Sequence, residues 1–296
     1  MFENRDSIIF FDGVYRRLDE IRINPFTQSL HYGNSIFDGM RAYPTAEGTK
    51  IFMATEHYQR FAKTARQMKL NLPYTAAELT QISEQVLALN KLEDAYVRPL
   101  LFSVPNMSLN MISDSHLMIM AFKWGLLLGN SLVNLTISSH RRPSPSLPLH
   151  DAKVGGHYVS AMMASTEARA NNFHDAIMLD EAGNVASATG ANLFIERDEV
   201  LYTPKIGNIV PGITRAVVIE MAREMDVKVV ETDLKPEDLE GIDGMFLAGT
   251  ATEITGVATL ERKSFKMQWE DTLGFVISRK YRQLATHDDT VGGTLI

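Results

Sequence analysis

The chain has 296 residues, of which 45% are hydrophobic, and a formal net charge of −7 at neutral pH. This composition can bury a large core in one large or two medium domains, and an acidic balance without a basic stripe excludes nucleic acid and anionic membranes as expected partners. The absence of cysteine excludes disulfides, thiolate metal sites and a cysteine nucleophile, and no metal site is expected. No secretion signal follows Met1 and no apolar run approaches about 18 residues, so a cytoplasmic location is predicted.

The first third of the chain predicts a mixture of strands and helices. Asp12 and Gly13 between apolar flanks predict a tight hairpin. Thr55 is interpreted as the cap of a helix with an apolar stripe, and Thr75 with Glu78 predicts a capping box at the start of a second helix. Further strands are predicted at 50–53, 95–104 and 116–122.

The rest of the chain predicts a second α+β domain, with a mixed or antiparallel sheet. Two glycines mark residues 126–134 as the connection between a domain at 1–125 and one at 135–296. The proline-dense loop 141–148 excludes helix and central strand. Helices are predicted over 158–170 and 212–225 and near the C-terminal end. Strands are predicted at 135–139, 176–180, 194–196, 199–202, 228–231, 244–248 and 253–260.

Lys153 carries the strongest chemical signal. It lies in the run 151–158, DAKVGGHY, among small residues and five positions before Tyr158. A lysine amine attacks a carbonyl only when it is deprotonated, and a half-buried setting favours that form. The run therefore suits a lysine that forms an imine with an aldehyde cofactor. A solvated lysine at the start of a helix is the alternative.

Two segments offer places for a phosphate. In the run 210–215, VPGITR, the amides of Ile213 and Thr214 are first-turn donors, which together with the helix dipole favour an anion. The run 249–252, GTAT, is small and rich in hydroxyls, so its backbone allows a close approach. Arg60 adds a guanidinium that can clamp a phosphate. Each feature alone also fits an ordinary helix start, a turn or a solvated arginine.

Seven segments form a pattern when they are taken in chain order: 30–41 (LHYGNSIFDGMR), 56–61 (EHYQRF), 95–100 (AYVRPL), 153–158 (KVGGHY), 192–194 (NLF), 211–215 (PGITR) and 249–251 (GTA). This series resembles the class IV pyridoxal-phosphate aminotransferases, the D-amino-acid-transaminase fold type, and among them most of all the branched-chain amino acid aminotransferases. The resemblance covers nearly the whole chain. It implies fold type IV: an α+β protein with a small N-terminal α/β domain and a larger, cofactor-binding C-terminal domain with a mixed, β-barrel-like sheet.

The resemblance implies a role for each candidate residue, with pyridoxal 5'-phosphate as the cofactor. Lys153 is the expected Schiff-base lysine and the base that moves the proton between Cα and C4′. Tyr158 is expected to hydrogen-bond the cofactor's phenolic oxygen. The expected phosphate ligands are Arg60, Ile213, Thr214 and Thr250. The expected substrate-pocket residues are Tyr32, Phe37, Arg98 and Trp124, with Tyr96, Thr250 and Ala251 facing the substrate carboxylate.

The resemblance further implies a homodimer in which small-domain residues complete the neighbouring subunit's pocket. The expected small-molecule partners are an apolar, branched-chain-like amino acid and a 2-oxo acid.

One position departs from the family's pattern. The family has a glutamate five residues before the asparagine of the Asn-Leu-Phe strand, facing the pyridine nitrogen, and this chain has Ser187 there. A second glutamate, usual directly before that asparagine, is replaced by Ala191. A carboxylate keeps the ring nitrogen protonated, whereas a serine hydroxyl supplies no charge, so a weaker electron sink is expected.

Three functions remain open on the sequence alone. The first is an aminotransferase for apolar or aromatic amino acids that tolerates Ser187. The second is a pyridoxal-phosphate lyase of the aminodeoxychorismate lyase type, whose leaving-group chemistry suits an uncharged ring nitrogen. The third is a cofactor-binding relic of low activity, against which Lys153, Tyr158 and Arg60 argue.

Overall fold

The structure is a computed structural model that describes residues 5–129 and 132–286. The chain divides into two units, one formed by Met1–Gly125 with Ala152–His157 and the other by Leu126–Asp151 with Tyr158–Ile296. The predicted connection at 126–134 includes residues 130–131, which lie outside the described residues. None of the described helices is long and apolar enough to cross a membrane.

An antiparallel sheet forms the centre of the first unit. Asp12 and Gly13 make the turn of its first hairpin with φ values of 46° and 86°, as their sequence predicts. The strands are β1 (Ile8–Phe11), β2 (Val14–Arg17), β3 (Ile36–Phe37), β4 (Met40–Thr45), β5 (Gly48–Ile51), β6 (Ala95–Ser103) and β7 (Ser115–Phe122). Their order is β2-β1-β7-β6-β4-β5, and β3 also pairs with β6. The short β3 thus brings residues 36 and 37 to the centre of the sheet.

Three helices of the first unit are α1 (Gln28–Tyr32), α2 (Ala54–Gln67) and α3 (Ala76–Leu89). The predicted capping box of α3 is confirmed: Thr75 Oγ1 accepts from Glu78 N at 3.2 Å, and Glu78 Oε2 accepts from Thr75 N at 2.7 Å. The prediction that Thr55 caps α2 is wrong. The helix begins at Ala54, directly after Met53, whose φ of 54° turns the chain out of β5.

A mixed sheet forms the second unit. Its strands are β8 (Val133–Arg141), β9 (Asp175–Leu179), β10 (Val185–Ala188), β11 (Asn192–Arg197), β12 (Val200–Pro204), β13 (Val229–Thr232), β14 (Gly244–Gly249), β15 (Glu253–Leu260) and β16 (Lys263–Ser264). Their order is β10-β9-β8-β15-β14-β11-β12-β13, with β16 on β15. The pairs β8–β9, β8–β15 and β12–β13 are parallel and the others antiparallel. The sheet is therefore mixed, as predicted.

Three helices cover this sheet: α4 (Tyr158–Ala170), α5 (Ile213–Glu224) and α6 (Leu273–Thr286). The buried face of α4 consists of alanines, which pack on Ala176 and Met178 of β9 and allow a close approach. Phe194 and Phe246 stack with ring centroids 5.0 Å apart, and Ile277 of α6 belongs to the same cluster. Val218 of α5 also belongs to this cluster. These contacts hold α4 and α5, which begin at the candidate residues Tyr158 and Ile213, against the sheet.

Candidate active site

Residues 152–157, called the lysine loop below, are held against residues 33–37 of the first unit by backbone hydrogen bonds. Phe37 N donates to Lys153 O at 3.1 Å, Gly155 N to Ser35 O at 2.7 Å, and Gly156 N to Gly33 O at 2.9 Å. A Cβ on Gly33, whose φ is +69°, would lie 2.9 Å from the Cα of Gly156. Only glycine permits this approach, so the glycines of the loop set the position of Lys153.

The amine of Lys153 lies beside an aromatic ring. Its Nζ is 5.4 Å from the centroid of the Phe37 ring, and the side chain is half-buried. Such a contact holds the amine next to an apolar surface through the ring's quadrupole. The lysine is therefore half-buried beside the Phe37 ring and not fully exposed.

Further aromatic rings and one guanidinium continue this apolar surface around Phe37, which is called the aromatic wall below. The rings of Tyr96 and Trp124 meet edge to face at 4.8 Å. Arg98 lies 4.7 Å from the centroid of the Phe37 ring and 5.3 Å from that of Tyr96, and its Nη2 donates to the Tyr96 hydroxyl at 3.4 Å. The structure thus brings together Phe37, Tyr96, Arg98, Trp124 and Lys153, five of the predicted residues.

The backbone of Gly39 packs directly against the side chain of Tyr96. A Cβ at this position would lie 1.8 Å from the hydroxyl of Tyr96, so a glycine is required there. Tyr32 is placed differently. It is 46% exposed, and its hydroxyl donates to the carbonyl of Met107 at 3.1 Å.

Arg60 lies in a buried ionic cluster of the first unit. Its Nε and Nη2 donate to the two carboxylate oxygens of Asp38 at 3.0 and 2.8 Å, and His57 Nδ1 contacts the same carboxylate at 2.9 Å. Burial acts to raise the pKa of Asp38, but the charge of Arg60 and the hydrogen bonds outweigh it and hold that pKa well below its usual range. Neither Asp38 nor His57 was identified from the sequence.

Helix α4 of the second unit begins at Tyr158, and the guanidinium of Arg142 is buried near this tyrosine. Arg142 is 9% exposed and donates through Nη2 to the carbonyl of His150 at 3.3 Å. Burial lowers the pKa of Arg142, and negative charge on Tyr158 or Asp151 acts against that shift. Arg142 is a further buried cation that the sequence did not reveal, because the prolines of its loop indicate only that helix and central strand are excluded there.

Ser187 lies on β10 and is 6% exposed. Its hydroxyl donates to the carbonyl of Ala188 at 2.8 Å, so the position predicted to replace the family's glutamate holds a neutral, satisfied group. On the neighbouring strand the buried carboxylate of Asp175 accepts from the Thr189 hydroxyl at 2.7 Å. Burial raises the pKa of Asp175.

Two of the predicted phosphate donors, Ile213 and Thr214, lie at the start of α5, next to the first residue of β11. Gly212 has no side chain with which to cap α5, and a Cβ there would lie 2.0 Å from Asn192 Oδ1. The amides of Ile213 and Thr214, both 3% exposed, form the first turn. Asn192 donates through Nδ2 to the carbonyl of Val210 at 3.2 Å, which holds the segment before the helix.

The turn at 249–252 lies next to the same strand. A Cβ on Gly249 would lie 3.1 Å from that of Ala191, and Ala251 O accepts from Leu127 N at 2.9 Å. Thr252 Oγ1 donates to Gly249 O at 3.3 Å. Thr250 and Ala251 stay half-buried at the tip of the turn, where hydroxyl and amide donors are available to an anion.

These residues fit pyridoxal 5'-phosphate chemically. Lys153 supplies a half-buried amine for the aldehyde, and Tyr158 supplies a phenol for the phenolic oxygen. The N-terminus of α5 supplies amides for the phosphate, and its packing against Asn192 depends on Gly212. The group that does not match is the neutral Ser187 hydroxyl, which offers no charge to a pyridine nitrogen.

Comparison with known proteins agrees with this chemistry. The family model described as amino-transferase class IV matches residues 35–260. A branched-chain-amino-acid aminotransferase of Pseudomonas aeruginosa is 33% identical over 264 residues, which cover 87% of this chain and 86% of that protein.

Solved structures are similar over nearly their whole length. The branched-chain aminotransferase from Thermoproteus uzoniensis with norvaline matches with a TM-score of 0.90 and 32% identity, covering 94% of each chain. A T.th. branched-chain amino acid aminotransferase complexed with N-(5'-phosphopyridoxyl)-L-glutamate matches with a TM-score of 0.90 and 30% identity, covering 96% of this chain and 95% of that one. The predicted fold class, enzyme class and cofactor are confirmed. The chain belongs to the class IV aminotransferases, enzymes that work with pyridoxal 5'-phosphate.

Proposed function

We propose that the protein transfers the amino group between a branched-chain or similarly apolar amino acid and a 2-oxo acid. The observation that carries the proposal is the aromatic wall of the first unit. There the Lys153 amine lies 5.4 Å from the Phe37 ring, and Arg98 is embedded between Phe37 and Tyr96. An apolar wall with a single cation suits substrates that share an α-carboxylate and differ in their side chains.

Lys153 carries the chemistry. When bound, pyridoxal 5'-phosphate supplies the electron-accepting ring that makes the substrate's Cα proton removable. The Lys153 amine would hold the cofactor at its aldehyde carbon and, once the amine of the substrate has freed it, would act as the general base that takes the proton from the substrate's Cα. The backbone bonds from Phe37 and to Gly33 and Ser35 hold the lysine loop during this exchange.

The remaining cofactor contacts are proposed from their chemistry. Tyr158 would donate to the phenolic oxygen of the cofactor, and Ser187 would be the residue nearest to its ring nitrogen. Arg60, the amides of Ile213 and Thr214, and Thr250 bind the phosphate, since an arginine fork and first-turn amides both suit a dianion.

The substrate side chain is proposed to lie against Phe37, Tyr96 and Trp124, with Tyr32 at the margin. The α-carboxylate meets the Tyr96 hydroxyl and the amides of Thr250 and Ala251. Arg98 gives the same wall a second use, because its guanidinium can pair with the distal carboxylate of a dicarboxylic substrate. One similar structure holds norvaline, an apolar amino acid, and another holds a phosphopyridoxyl adduct of glutamate, a dicarboxylic amino acid, which supports both uses.

Ser187 favours one alternative function. A buried, neutral hydroxyl that donates to Ala188 O provides no carboxylate for the ring nitrogen. An uncharged ring suits the expulsion of a leaving group, as in a lyase of the aminodeoxychorismate type. Pyruvate or an aromatic product that forms without an amino acceptor distinguishes the lyase from the aminotransferase.

A homodimer is part of the proposal. Exposed apolar side chains cluster on α1 and on the loop between β6 and β7, which are linked by the bond from Tyr32 to Met107. Leu30 is 66% and Leu109 is 84% exposed. A second copy of the chain would cover them, and an aqueous cytoplasmic setting remains the predicted location.

The visible absorption spectrum of the purified, cofactor-loaded protein tests the function. We expect a band from the cofactor linked to Lys153, and its conversion to the pyridoxamine form on adding L-leucine, L-isoleucine or L-valine. Borohydride should fix the cofactor on the parent chain and not on Lys153→Ala. A band that no tested L- or D-amino acid changes would contradict the transaminase.

A further inference from the structure

A buried carboxylate stands directly behind the proposed phosphate arginine. Asp38 is 1% exposed and follows Phe37 in the chain. Four donors converge on it: Gly39 N at 2.7 Å, His57 Nδ1 at 2.9 Å, and Arg60 Nε and Nη2 at 3.0 and 2.8 Å. The two bonds from Arg60 go to different oxygens, so one edge of the guanidinium plane is fixed by the carboxylate.

The protonation states of the cluster follow from its geometry. His57 Nδ1 must carry the hydrogen, because two acceptors facing each other at 2.9 Å would repel. Burial lowers the pKa of His57, Arg60 and Lys153 lower it further, and Asp38 opposes them. The lowered pKa favours the neutral form of His57. Asp38 and Arg60 then form an ion pair with no net charge.

We propose that Asp38 is a positioning residue for the cofactor's phosphate, acting by holding the guanidinium of Arg60 in a single orientation. The proposal rests on the role proposed for Arg60. A long arginine side chain loses conformational freedom when it clamps an anion, and a partner that immobilises it beforehand removes part of that cost from binding. The Arg60 side chain is 12% exposed and already bound by Asp38 at two atoms.

Charge and orientation make opposite predictions at this position. Asp38 cancels the charge of Arg60, so if charge alone mattered, removing the carboxylate would strengthen the attraction for a dianionic phosphate. If orientation matters, removing it releases the fork and weakens binding. The sign of one affinity change therefore decides between the two.

The experiment measures the affinity of the cofactor-depleted, full-length protein for two probes. Pyridoxal 5'-phosphate carries the phosphate, and pyridoxal is the same aldehyde without it. For Asp38→Asn we expect the Kd for pyridoxal 5'-phosphate to rise about tenfold or more, the size of a coupling between buried charged partners. The Kd for pyridoxal should stay that of the parent.

Two further variants keep the test decisive. Arg60→Lys retains the charge and the pairing with Asp38 but lacks the planar fork, so it should lose affinity for pyridoxal 5'-phosphate to a similar extent. Asp94→Asn is the matched control, since it removes another Asp–Arg pair of the same unit, that of Arg41 with Asp94 at 3.1 Å. It should leave both affinities unchanged.

Several outcomes would overturn the inference. Equal or tighter binding of pyridoxal 5'-phosphate by Asp38→Asn would mean that the carboxylate does not orient Arg60 for the phosphate. A parallel loss of pyridoxal affinity would mean a general collapse of the site. If Asp38→Asn does not fold, parent-like affinity in Arg60→Lys is the contrary result. A parent protein that binds neither probe would instead contradict the proposed function itself.

Discussion

At the residue scale, Ser187 is the position where we expect this chain to differ chemically from the family's pattern. Its hydroxyl is buried and donates to Ala188 O at 2.8 Å. A glutamate there would provide the charge that holds a proton on the ring nitrogen. We expect Ser187→Glu to raise the transamination kcat about tenfold if that proton limits the rate, which amounts to about 1.4 kcal/mol of barrier.

Single-turnover kinetics with L-leucine measure the effect of this substitution. Ser187→Ala is the control, because it removes the hydroxyl without adding a charge and should not exceed the parent. If Ser187→Glu leaves kcat unchanged or lowers it, then the ring nitrogen does not limit the reaction.

Arg98 is predicted to separate the two kinds of substrate. Its guanidinium lies 4.7 Å from the Phe37 ring centroid and donates to the Tyr96 hydroxyl. Arg98→Met keeps an apolar side chain against the rings but removes the cation. We expect kcat/KM for 2-oxoglutarate to fall about 30-fold, the cost of a lost charged hydrogen bond, and that for 4-methyl-2-oxopentanoate to change less than about threefold. Equal losses for both substrates would contradict a role in recognising the distal carboxylate.

The sequence identified the residues that match a family motif, but it did not identify the buried polar residues that contact them. Lys153, Phe37 and Arg98 stand in runs that resemble a family. Asp38 and His57 stand in the same runs, but their contact spans 19 positions and depends on how β3 meets α2. Periodicity and spacing do not report such a contact. Buried polar partners of this kind emerge only when the chain is folded.

At the element scale, the α3 capping box is a local stabilising device with a measurable energy. Thr75 and Glu78 exchange hydrogen bonds at the helix start. Thr75→Ala is expected to lower the free energy of unfolding by about 1 kcal/mol. Thr80→Ala, within the same helix, removes a bond to the carbonyl of Ala76 and should change it by less than about 0.5 kcal/mol. Urea unfolding followed by circular dichroism measures both, and equal effects would contradict the cap.

Elements with a strong local signal were predictable, and those defined by distant partners were not. The Asp12 and Gly13 hairpin and the start of α4 at Tyr158 follow from the sequence. The short strands β3 and β10 were not predicted, because two to four residues carry no period. Thr55 was taken as a cap because of its residue type. The backbone of Met53 in fact makes the turn, as the chain leaves β5 for the helix.

At the scale of the whole molecule, two buried aspartates give stability opposite pH dependences. The folded-state pKa of Asp38 is lowered, so its contribution is present above the unfolded value of 3.8 and is lost as pH falls below it. The pKa of Asp175 is raised by burial, so its ionisation reduces stability as pH rises above 3.8. Asp175→Asn, which keeps an acceptor for Thr189, should therefore raise the urea midpoint of the cofactor-free protein at pH 7.

The gain from Asp175→Asn should shrink steadily as the pH is lowered toward about 4, near the ordinary carboxyl pKa. Urea midpoints for parent and variant between about pH 4 and pH 8 check this. A difference that does not depend on pH would mean that packing, and not ionisation, is responsible.

If the protein is a dimer, replacing one exposed leucine should lower the mass of the assembly in solution, whereas replacing another should not. Leu109→Glu places a charge in the apolar cluster of α1 and the β6–β7 loop and should shift the protein to monomers. Leu89→Glu, at the end of α3 where the leucine is 44% exposed, is the matched control. Sedimentation velocity at micromolar concentration distinguishes the two, and a monomeric parent would contradict the dimer.

The fastening of Lys153 to residues 33–37 has a consequence for recombining this protein with its relatives. The hexapeptide 152–157 belongs to the first unit, although the chain on either side of it belongs to the second. A chimaera made with one crossover after Gly125 takes the lysine loop from one parent and the glycine and strand that receive it from the other. Exchanging the units intact requires three junctions, after Gly125, after Asp151 and after His157. A library built with fewer junctions would combine Gly33 and Gly156 from different parents. The two backbones leave no room for a side chain at this contact, so many of its chimaeras would be mismatched there.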